Sequence, residues 1–254
     1  MTQFLASIGS LDELPAVLNG GADLIDVKDP AQGALGAAPL AKIRSIVAAV
    51  GGRRRVSATL GDLPVVPAVL AEAAWRTAST GVDFVKIGFF PGGDHAACTA
   101  ALGRVAAQGA RLVAVLFADR APDFGLLDLL AEAKFAGAML DTAGKTTGAL
   151  PDHLSMQRLS DFVARTRQLG LMTGLAGSLR LEHVPALTEL NPDYLGFRGA
   201  LCGRDRTKQI DPHRVAAVRQ AIDAASNPTA AAGAAIAAAS RSSGVPSMIS
   251  AKSR

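Results

Sequence analysis

Cysteine and histidine are scarce in this sequence of 254 residues, and neither is arranged as a metal site or a disulfide framework. The two cysteines, Cys98 and Cys202, lie far apart and lack the short spacing of zinc ligands. So few cysteines fit a chain that folds in a reducing cytoplasm. The histidines do not cluster with carboxylates at ligand spacing, and we therefore predict no metal held by the protein. The four are His95, His153, His183 and His213.

Aromatic residues make up only 4% of the sequence, and no stretch of about 18 uninterrupted apolar residues occurs. So few aromatic side chains offer no platform for stacked bases, which argues against nucleic-acid binding. The N-terminal residues lack the pattern of a signal peptide, so we expect neither secretion nor contact with a membrane. The net charge of +4 comes from scattered arginines, with local groups at 53–55 and 198–208. A small anionic substrate explains this local excess.

What the sequence does contain is a regular alternation of short β-type runs with helical runs, eight of each, between residue 3 and residue 224. Glycines such as Gly81, Gly109 and Gly170 stand where a helix should end and the next strand begin. The predicted strands are 3–8, 23–28, 55–60, 84–89, 111–118, 138–142, 171–176 and 194–199. The predicted helices are 11–19, 39–50, 64–80, 94–108, 124–136, 155–169, 181–190 and 211–224.

This alternation predicts a single α/β domain, a (β/α)8 TIM barrel over residues 1–223, because strands separated by helices pair in parallel through right-handed crossovers. A doubly wound open sheet is the alternative. The turn after the first strand, Ile8-Gly9-Ser10-Leu11, lacks the Gly-rich dinucleotide loop expected there. Residues 224–254 are rich in Ala, Ser and Gly, and we predict a flexible or partly helical tail that is dispensable for chemistry.

Charged residues occupy the end of the second predicted strand, where alternation places Asp26 and Lys28 on one face. Buried strands seldom carry such residues unless they are paired or used. Catalytic groups of a barrel come from the C-terminal ends of several strands, so the same face of the other strands should supply the partners. The polar residues at these positions are Ser7, Ser57, Thr59, Lys86, Asp119, Asp141, Thr173 and Arg198.

Three of the seven lysines, Lys28, Lys86 and Lys145, fall at strand ends or in the loops that follow. Crowding ammonium groups in a low-dielectric cavity lowers at least one lysine pKa. A lysine that is partly neutral near pH 7 can form a Schiff base with a carbonyl compound. Asp26 and Asp141 can orient the amine and move protons. The alternative for Lys86 is an ion pair with either aspartate that serves only packing.

Two Gly-rich turns follow the last two predicted strands, and backbone N–H groups in such turns can converge on a phosphate. The turns are Gly174-Leu-Ala-Gly-Ser178 and Gly196-Phe-Arg-Gly-Ala200, and an arginine in the second can add a charge-assisted contact. We predict phosphate binding by Gly177, Ser178, Arg198 and Gly199.

These residue patterns alone indicate a Schiff-base lyase or aldolase acting on a phosphorylated sugar. A deoxyribose-phosphate-type aldolase or a transaldolase would share Lys28 and the phosphate turns, but its product would keep its hydroxyl groups. A catalytically silent sugar-phosphate sensor is the alternative from another class. Crowded lysines repel one another and give a binding protein no benefit, which argues against the sensor.

Six motifs occur in order along the predicted barrel, and together they are more specific than any one of them. They are Gly21-Ala-Asp-Leu-Ile-Asp-Val-Lys-Asp-Pro30 with Gly33 and Leu35-Gly36, Val56-Ser-Ala-Thr-Leu-Gly-Asp62, Asp83-Phe-Val-Lys-Ile-Gly88, Met139-Leu-Asp-Thr-Ala-Gly-Lys145, Leu175-Ala-Gly-Ser178, and Gly196-Phe-Arg-Gly-Ala200 with Cys202. The chain closely resembles the (5-formylfuran-3-yl)methyl phosphate synthase family over residues 3 to about 222.

The resemblance implies the enzyme that opens methanofuran and methylofuran biosynthesis. It would join two molecules of glyceraldehyde 3-phosphate into 4-(hydroxymethyl)-2-furancarboxaldehyde phosphate, with loss of phosphate and water. Lys28 matches the family's Schiff-base lysine and Lys86 its proton-transferring lysine. Asp26, Asp141 and Lys145 match its other active-site charges.

The resemblance also implies that no organic cofactor or metal is needed and that the partner is a small phosphorylated triose. We further expect a cytoplasmic homo-oligomer. The alanine-rich, arginine-over-lysine composition hints at a bacterial source of the kind that oxidises one-carbon compounds. The chain departs from the family in its tail and at Gly203-Arg-Asp-Arg-Thr207, which leaves open whether Arg204 or Arg206 contacts phosphate.

Overall fold

A closed barrel of eight parallel strands forms the centre of the protein, and the computed structural model describes residues 1–203 and 205–227. Each strand pairs with its neighbour in the chain, and the first pairs with the last. The predicted (β/α)8 barrel is therefore confirmed, and the open-sheet alternative is wrong. The strands are β1 (Gln3–Ile8), β2 (Leu24–Val27), β3 (Arg55–Thr59), β4 (Phe84–Phe89), β5 (Leu112–Phe117), β6 (Gly137–Asp141), β7 (Met172–Leu175) and β8 (Tyr194–Phe197).

Helices surround the barrel, and each of the eight predicted helical segments contains one. They are α1 (Leu14–Asn19), α2 (Leu40–Val50), α3 (Pro67–Ala78), α4 (His95–Ala107), α5 (Leu126–Glu132), α6 (Leu150–His153), α7 (Met156–Gln168), α8 (Val184–Glu189), α9 (Gly199–Cys202) and α10 (Pro212–Ser226). The short helices α6 and α9 were not predicted, because four residues are too few to show a helical period. The predicted start of α3 at 64 was too early. Proline is favoured at the first helical position, and the chain uses Pro67 rather than Pro64.

The C-terminal helix α10 continues to Ser226, so residues 224–226, predicted as the start of the tail, are helical. The rest of the predicted tail, from residue 228, lies outside the described residues, as does Arg204. In the part of the chain that is described, no helix is long and apolar enough to cross a membrane.

Side-chain alternation along the strands divides the core into an outer and an inner layer. Phe4, Ala6 and Ile8 point outward and pack with the helices in the larger cluster. Leu5 and Leu24 point inward and join the smaller cluster, whose other buried members are Ala34, Leu35, Phe84, Val113, Val115, Phe117, Met139, Ala176 and Tyr194. Ser7 and Asp26 are paired across β1 and β2, two residues beyond the pair Leu5 and Leu24, so their side chains also point inward. Alternation therefore carries polar side chains into the barrel at its C-terminal end.

Aspartates placed just before β2, β4 and β8 fasten the opposite, N-terminal end of the barrel. Each carboxylate accepts a hydrogen bond from a backbone N–H group of the preceding strand. The acceptors are Asp23, Asp83 and Asp193, and the donors are Phe4, Val56 and Thr173 at 2.8, 2.7 and 2.6 Å, respectively. The carboxylates thus satisfy backbone donors at strand starts and help to fix the register of neighbouring strands.

Gly174 in β7 lies against the ring of Tyr194 in β8. A Cβ atom at Gly174 would lie 2.2 Å from Cζ and 2.5 Å from the phenolic oxygen of Tyr194. Tyr194 is 1% exposed, and its hydroxyl donates to Sδ of Met139 at 3.4 Å. The glycine that opens the first predicted phosphate turn is therefore required by packing inside the barrel.

We expect Gly174→Ala to lower the free energy of unfolding by about 2 kcal/mol, because the buried ring of Tyr194 would have to shift to make room for the Cβ atom. Chemical denaturation of the variant measures this loss. Gly199→Ala is the matched control, since a Cβ there meets no atom within 4 Å. An equal loss in both variants, or none in the first, would contradict this account of Gly174.

Candidate active site

A cavity of about 610 Å³ opens at the C-terminal ends of the strands. Eight of the nine predicted site residues line it, and the ninth, Asp26, is fully buried beside Lys86. The eight are Lys28, Lys86, Asp141, Lys145, Gly177, Ser178, Arg198 and Gly199. The fold thus brings together residues from five different strands or the loops that follow them, as side-chain alternation along the strands predicts.

Asp26 is the buried anion at the base of this site. Its Oδ1 accepts from the hydroxyl of Ser57 at 2.7 Å and lies 3.1 Å from Nζ of Lys86, and its Oδ2 accepts from the hydroxyl of Ser7 at 2.9 Å. Burial alone would raise the pKa of Asp26, but the ammonium groups of Lys86 and Lys28 and the Ser57 hydroxyl lower it below its ordinary value. The ion pair considered for Lys86 is therefore present, and it places Lys86 at a fixed point of the cavity.

Asp141, the last residue of β6, forms the second ion pair of the site. Its Oδ1 accepts from Nζ of Lys145 and from the backbone N–H of Thr142, each at 2.7 Å. Nζ of Lys145 also donates to the carbonyl oxygen of Thr142. Burial opposes ionisation of Asp141, but Lys145 and Lys28 keep its pKa below the ordinary value. The contacts of Asp141 with Lys145 and with the N–H of Thr142 both use Oδ1, which leaves Oδ2 as the oxygen available to a substrate.

Asp119, just after β5, holds the loop that carries Lys145. Its two carboxylate oxygens accept from the backbone N–H groups of Ala143 and Gly144 at 2.8 and 2.7 Å. These two residues directly precede Lys145, so the carboxylate fixes the backbone from which that lysine extends. Side-chain alternation along the fifth strand predicted that Asp119 faces the site. Its hydrogen-bond partners lie 24 and 25 residues away, so the sequence could not identify them.

Lys28 differs from the other two lysines because no carboxylate of the described residues lies within 4.0 Å of its amine. The residue is only 6% exposed. Burial lowers the pKa of Lys28 to about 8, although Asp141 and Asp26 act in the opposite direction; Lys145 and Lys86 lower it further. Roughly one molecule in ten therefore carries a neutral amine at pH 7, against fewer than one in a thousand for an ordinary lysine.

The charges of these five groups nearly cancel. Three ammonium groups and two carboxylates give a net charge of +1, and the sum becomes zero when Lys28 is neutral. Each aspartate already has its own lysine within 3.1 Å. The third lysine, Lys28, has no such partner, and it is the nucleophile that the arrangement can supply.

Arg198 lines the cavity, but its guanidinium is used largely within the protein. Nη1 lies 2.7 Å from Glu13 and 3.3 Å from the carbonyl oxygen of Ser7, and the other two nitrogens donate to the carbonyl oxygens of Arg206 and Lys208 at 2.9 Å. Glu13 is 5% exposed, so this is a buried ion pair. The phosphate role predicted for Arg198 stays a prediction, and the contacts give it a clear role in positioning the segment that follows.

Glu13 was not identified from the sequence, because it precedes α1 in a segment without a charge motif. Its partner Arg198 is 185 residues away. The turn after β7, in contrast, lies at the cavity as predicted. Gly177 and Ser178 both adopt positive φ, at 105° and 49°, and both line the cavity.

The sequence matches the family model described as 4-HFC-P synthase over residues 4–219. The chain belongs to the 4-HFC-P synthase family. A protein of Methylorubrum extorquens, provisionally named a (5-formylfuran-3-yl)methyl phosphate synthase, is 46% identical over 224 residues, which cover 87% of this chain and 91% of that protein. The (5-formylfuran-3-yl)methyl phosphate synthase of Methanopyrus kandleri is 38% identical over 87% of this chain and 98% of its own. These relatives indicate that the chain is an enzyme, as expected for a family of synthases.

Among solved structures, phosphoribosyl anthranilate isomerase from Thermotoga maritima superposes with a TM-score of 0.65 over 88% of this chain and 99% of its own. The two sequences are only 13% identical, so this likeness concerns the barrel alone. Within the described ranges, no group of three or more His, Cys, Asp or Glu side chains is arranged to hold a metal ion.

Replacement of the two deeply buried lysines should change stability in opposite directions. Lys28→Met removes a buried charge without a close partner, so we expect it to stabilise the fold at pH 7 by up to about 3 kcal/mol, the equivalent of the pKa depression. Lys86→Met leaves Asp26 buried without its ion-pair partner and should destabilise the fold by roughly 3 kcal/mol or more. Chemical denaturation measures both changes.

The increase in the free energy of unfolding expected for Lys28→Met should shrink as pH rises above 8. The pKa of Lys28 is about 8 in the folded protein and 10.5 for an ordinary lysine, so the unfolded chain binds more protons between these values. The cost of the charged amine is fully present below pH 8 and disappears as pH rises toward 10.5. A destabilising effect of Lys28→Met at pH 7, or a gain independent of pH, would contradict the assignment.

Proposed function

We propose that the protein condenses two molecules of glyceraldehyde 3-phosphate into 4-(hydroxymethyl)-2-furancarboxaldehyde phosphate through a Schiff base on Lys28. The observation that carries the proposal is the unpaired, buried amine of Lys28, with a pKa of about 8, beside two lysine–aspartate pairs. The names of the relatives support the product. Atom balance requires the loss of one phosphate and two molecules of water.

The first half of the proposed reaction forms the imine. One triose phosphate is isomerised toward its ketone form, and the neutral amine of Lys28 adds to the carbonyl carbon. Loss of the resulting hydroxyl group as water needs a proton donor and leaves the imine. Lys86 lines the same cavity and suits this transfer, and Oδ2 of Asp141 can accept a proton from the attacking amine.

The second half uses the imine as an electron sink. Loss of a proton from the hydroxyl-bearing carbon next to the imine gives an enamine, which expels the phosphate of this first triose. The carbon that carried the phosphate then forms a carbon–carbon bond to the carbonyl carbon of the second triose, isomerised in the same way, and the carbonyl oxygen takes up a proton. A hydroxyl group of the second triose closes the ring on the carbon that bears the Lys28 nitrogen, and elimination of one water and of the Lys28 amine gives the aromatic furan. The amine is thereby regenerated, and the second water is the one lost when the imine forms.

The size of the cavity fits two triose phosphates. A volume of about 610 Å³ is in the range of sites that hold ligands with about twenty non-hydrogen atoms, which is the size of two such molecules together. Lys145 and the turn at Gly177 and Ser178 line the same space and can contact phosphate. The reaction would be a carbon–oxygen lyase step in methanofuran or methylofuran biosynthesis, and in bacteria it would serve one-carbon metabolism. The cytoplasmic location, the independence from cofactors and the homo-oligomeric state stay predictions.

A different Schiff-base aldolase acting on a sugar phosphate remains the alternative activity, and the product decides between them. Incubation with glyceraldehyde 3-phosphate alone should give a compound with the mass of the furan phosphate and its ultraviolet absorbance. An aldol product that retains its hydroxyl groups, without a furan chromophore, would support the alternative and contradict the proposal.

Borohydride should trap the substrate on Lys28, and peptide mass spectrometry should locate the adduct. Lys28→Arg should abolish both adduct and product, because a guanidinium does not form the imine, whereas Lys134→Arg, at an exposed lysine, should leave both unchanged. An adduct on another lysine would reassign the nucleophile. A folded wild-type protein that forms product but no adduct would argue against the covalent route.

The dependence of kcat/KM on pH should show a rising limb with an apparent pKa of about 8, since only the neutral amine of Lys28 attacks. Between pH 6 and 7 the rate constant should rise about tenfold, and above about pH 9 it should level off. A rise that continues to pH 10 would mean that Lys28 titrates as an ordinary lysine.

A further inference from the structure

Among the described residues, seven cationic side chains line the cavity, and five of them already have a carboxylate within 4.0 Å. The five pairs are Lys86 with Asp26, Lys145 with Asp141, Arg180 with Glu182, Arg198 with Glu13, and Arg214 with Asp211. The two cations without such a partner among the described residues are Lys28 and Arg206. The lack of a partner suits Lys28, because its function requires a neutral amine.

Arg206 cannot be explained in the same way. A guanidinium stays protonated under ordinary conditions, so it does not lose its charge as Lys28 does. Its Nη2 is buried and, within residues 1–203 and 205–227, has no hydrogen-bond partner. A buried guanidinium nitrogen without a partner costs free energy, and an anion in the cavity would recover it.

The backbone around Arg206 is held firmly. Arg198 donates to the carbonyl oxygens of Arg206 and Lys208, and Arg198 is itself fixed by the buried ion pair with Glu13. Asp205 accepts from both the backbone N–H and the hydroxyl of Thr207, at 2.9 and 2.6 Å. These contacts fix the segment from both sides and set Arg206 in the cavity wall.

We propose that Arg206 binds the phosphate group of the substrate in this cavity. The planar fork of a guanidinium matches two oxygens of a phosphate monoester, and no carboxylate of the described residues within 4.0 Å competes for the charge of Arg206. The buried pair of Arg198 and Glu13 then acts indirectly, by positioning the Arg206 backbone. That the phosphate belongs to a triose rests on the proposed function, whereas the binding of a phosphate monoester does not.

Calorimetric titration with glycerol 3-phosphate tests this assignment without chemistry, because that compound has no carbonyl group and forms no imine. We expect Arg206→Gln to bind it at least about tenfold more weakly than the wild type, and Arg206→Lys to fall between the two. Inorganic phosphate should show the same order. Glycerate, which carries a carboxylate in place of the phosphate monoester, should bind much more weakly to the wild type.

Arg214→Gln is the matched control, since Arg214 also lines the cavity but is half exposed and already paired with Asp211. It should keep the affinity of the wild type. Equal affinity of wild type and Arg206→Gln, an equal loss in Arg214→Gln, or no binding by the wild type would each overturn the proposal.

A thermal unfolding series separates ligand binding from a structural role of Arg206. Without phosphate, Arg206→Gln should melt no lower than the wild type, whereas Arg198→Gln should melt lower because it leaves Glu13 buried without its partner. At the same concentration, glycerol 3-phosphate should raise the melting temperature of the wild type by more than that of Arg206→Gln. A destabilised Arg206→Gln that responds to the ligand as strongly as the wild type would contradict the role. If binding depends on Arg206 but no furan or lysine adduct forms, the proposed function fails and the phosphate site stands.

Discussion

The charge balance among three buried lysines and two buried aspartates is the constraint on which the site depends. Two lysines can each be matched by an aspartate, and the structure makes both pairs. The third, Lys28, has no close carboxylate, so the nearby aspartates offset only part of the cost of burying its charge, and its pKa falls to about 8. In the proposed function, the same imbalance that should weaken the fold near neutral pH supplies the reactive amine, in line with the general conflict between stability and function at active sites.

The closed barrel fixes the positions of these charged side chains relative to one another. Parallel strands end at one rim, so side chains from distant parts of the sequence meet there. Two carboxylates hold the surrounding backbone. Asp119 fixes the loop before Lys145. Asp62 accepts hydrogen bonds from the backbone N–H groups of Ala34 and Leu35 at 3.0 and 2.9 Å. Leu35 belongs to the apolar cluster inside the barrel. Asp62 thus holds the loop after β2 against the apolar interior of the barrel.

The sequence predicted the barrel and most of the candidate site because both follow from local periodicity. Alternating strands and helices gave eight of each, and the parity of β2 and β4 placed Asp26 and Lys86 inside the barrel, where they form an ion pair. What the sequence could not supply were contacts set by tertiary structure alone. Glu13 meets Arg198 across 185 residues, and only the folded structure shows that Arg206, not chosen from the sequence, lines the cavity. The short helices α6 and α9 were not predicted, because four residues are too few to show a helical repeat of apolar residues.

The central claim is that burial depresses the pKa of Lys28 to about 8. Carbon NMR of the protein with 13C-labelled lysine side chains, compared with Lys28→Arg to assign the signal, measures this value directly in the absence of substrate. The account predicts a titration midpoint near pH 8 for Lys28. A midpoint near the ordinary lysine value of about 10.4 would contradict it, because the amine would then be almost fully protonated at neutral pH.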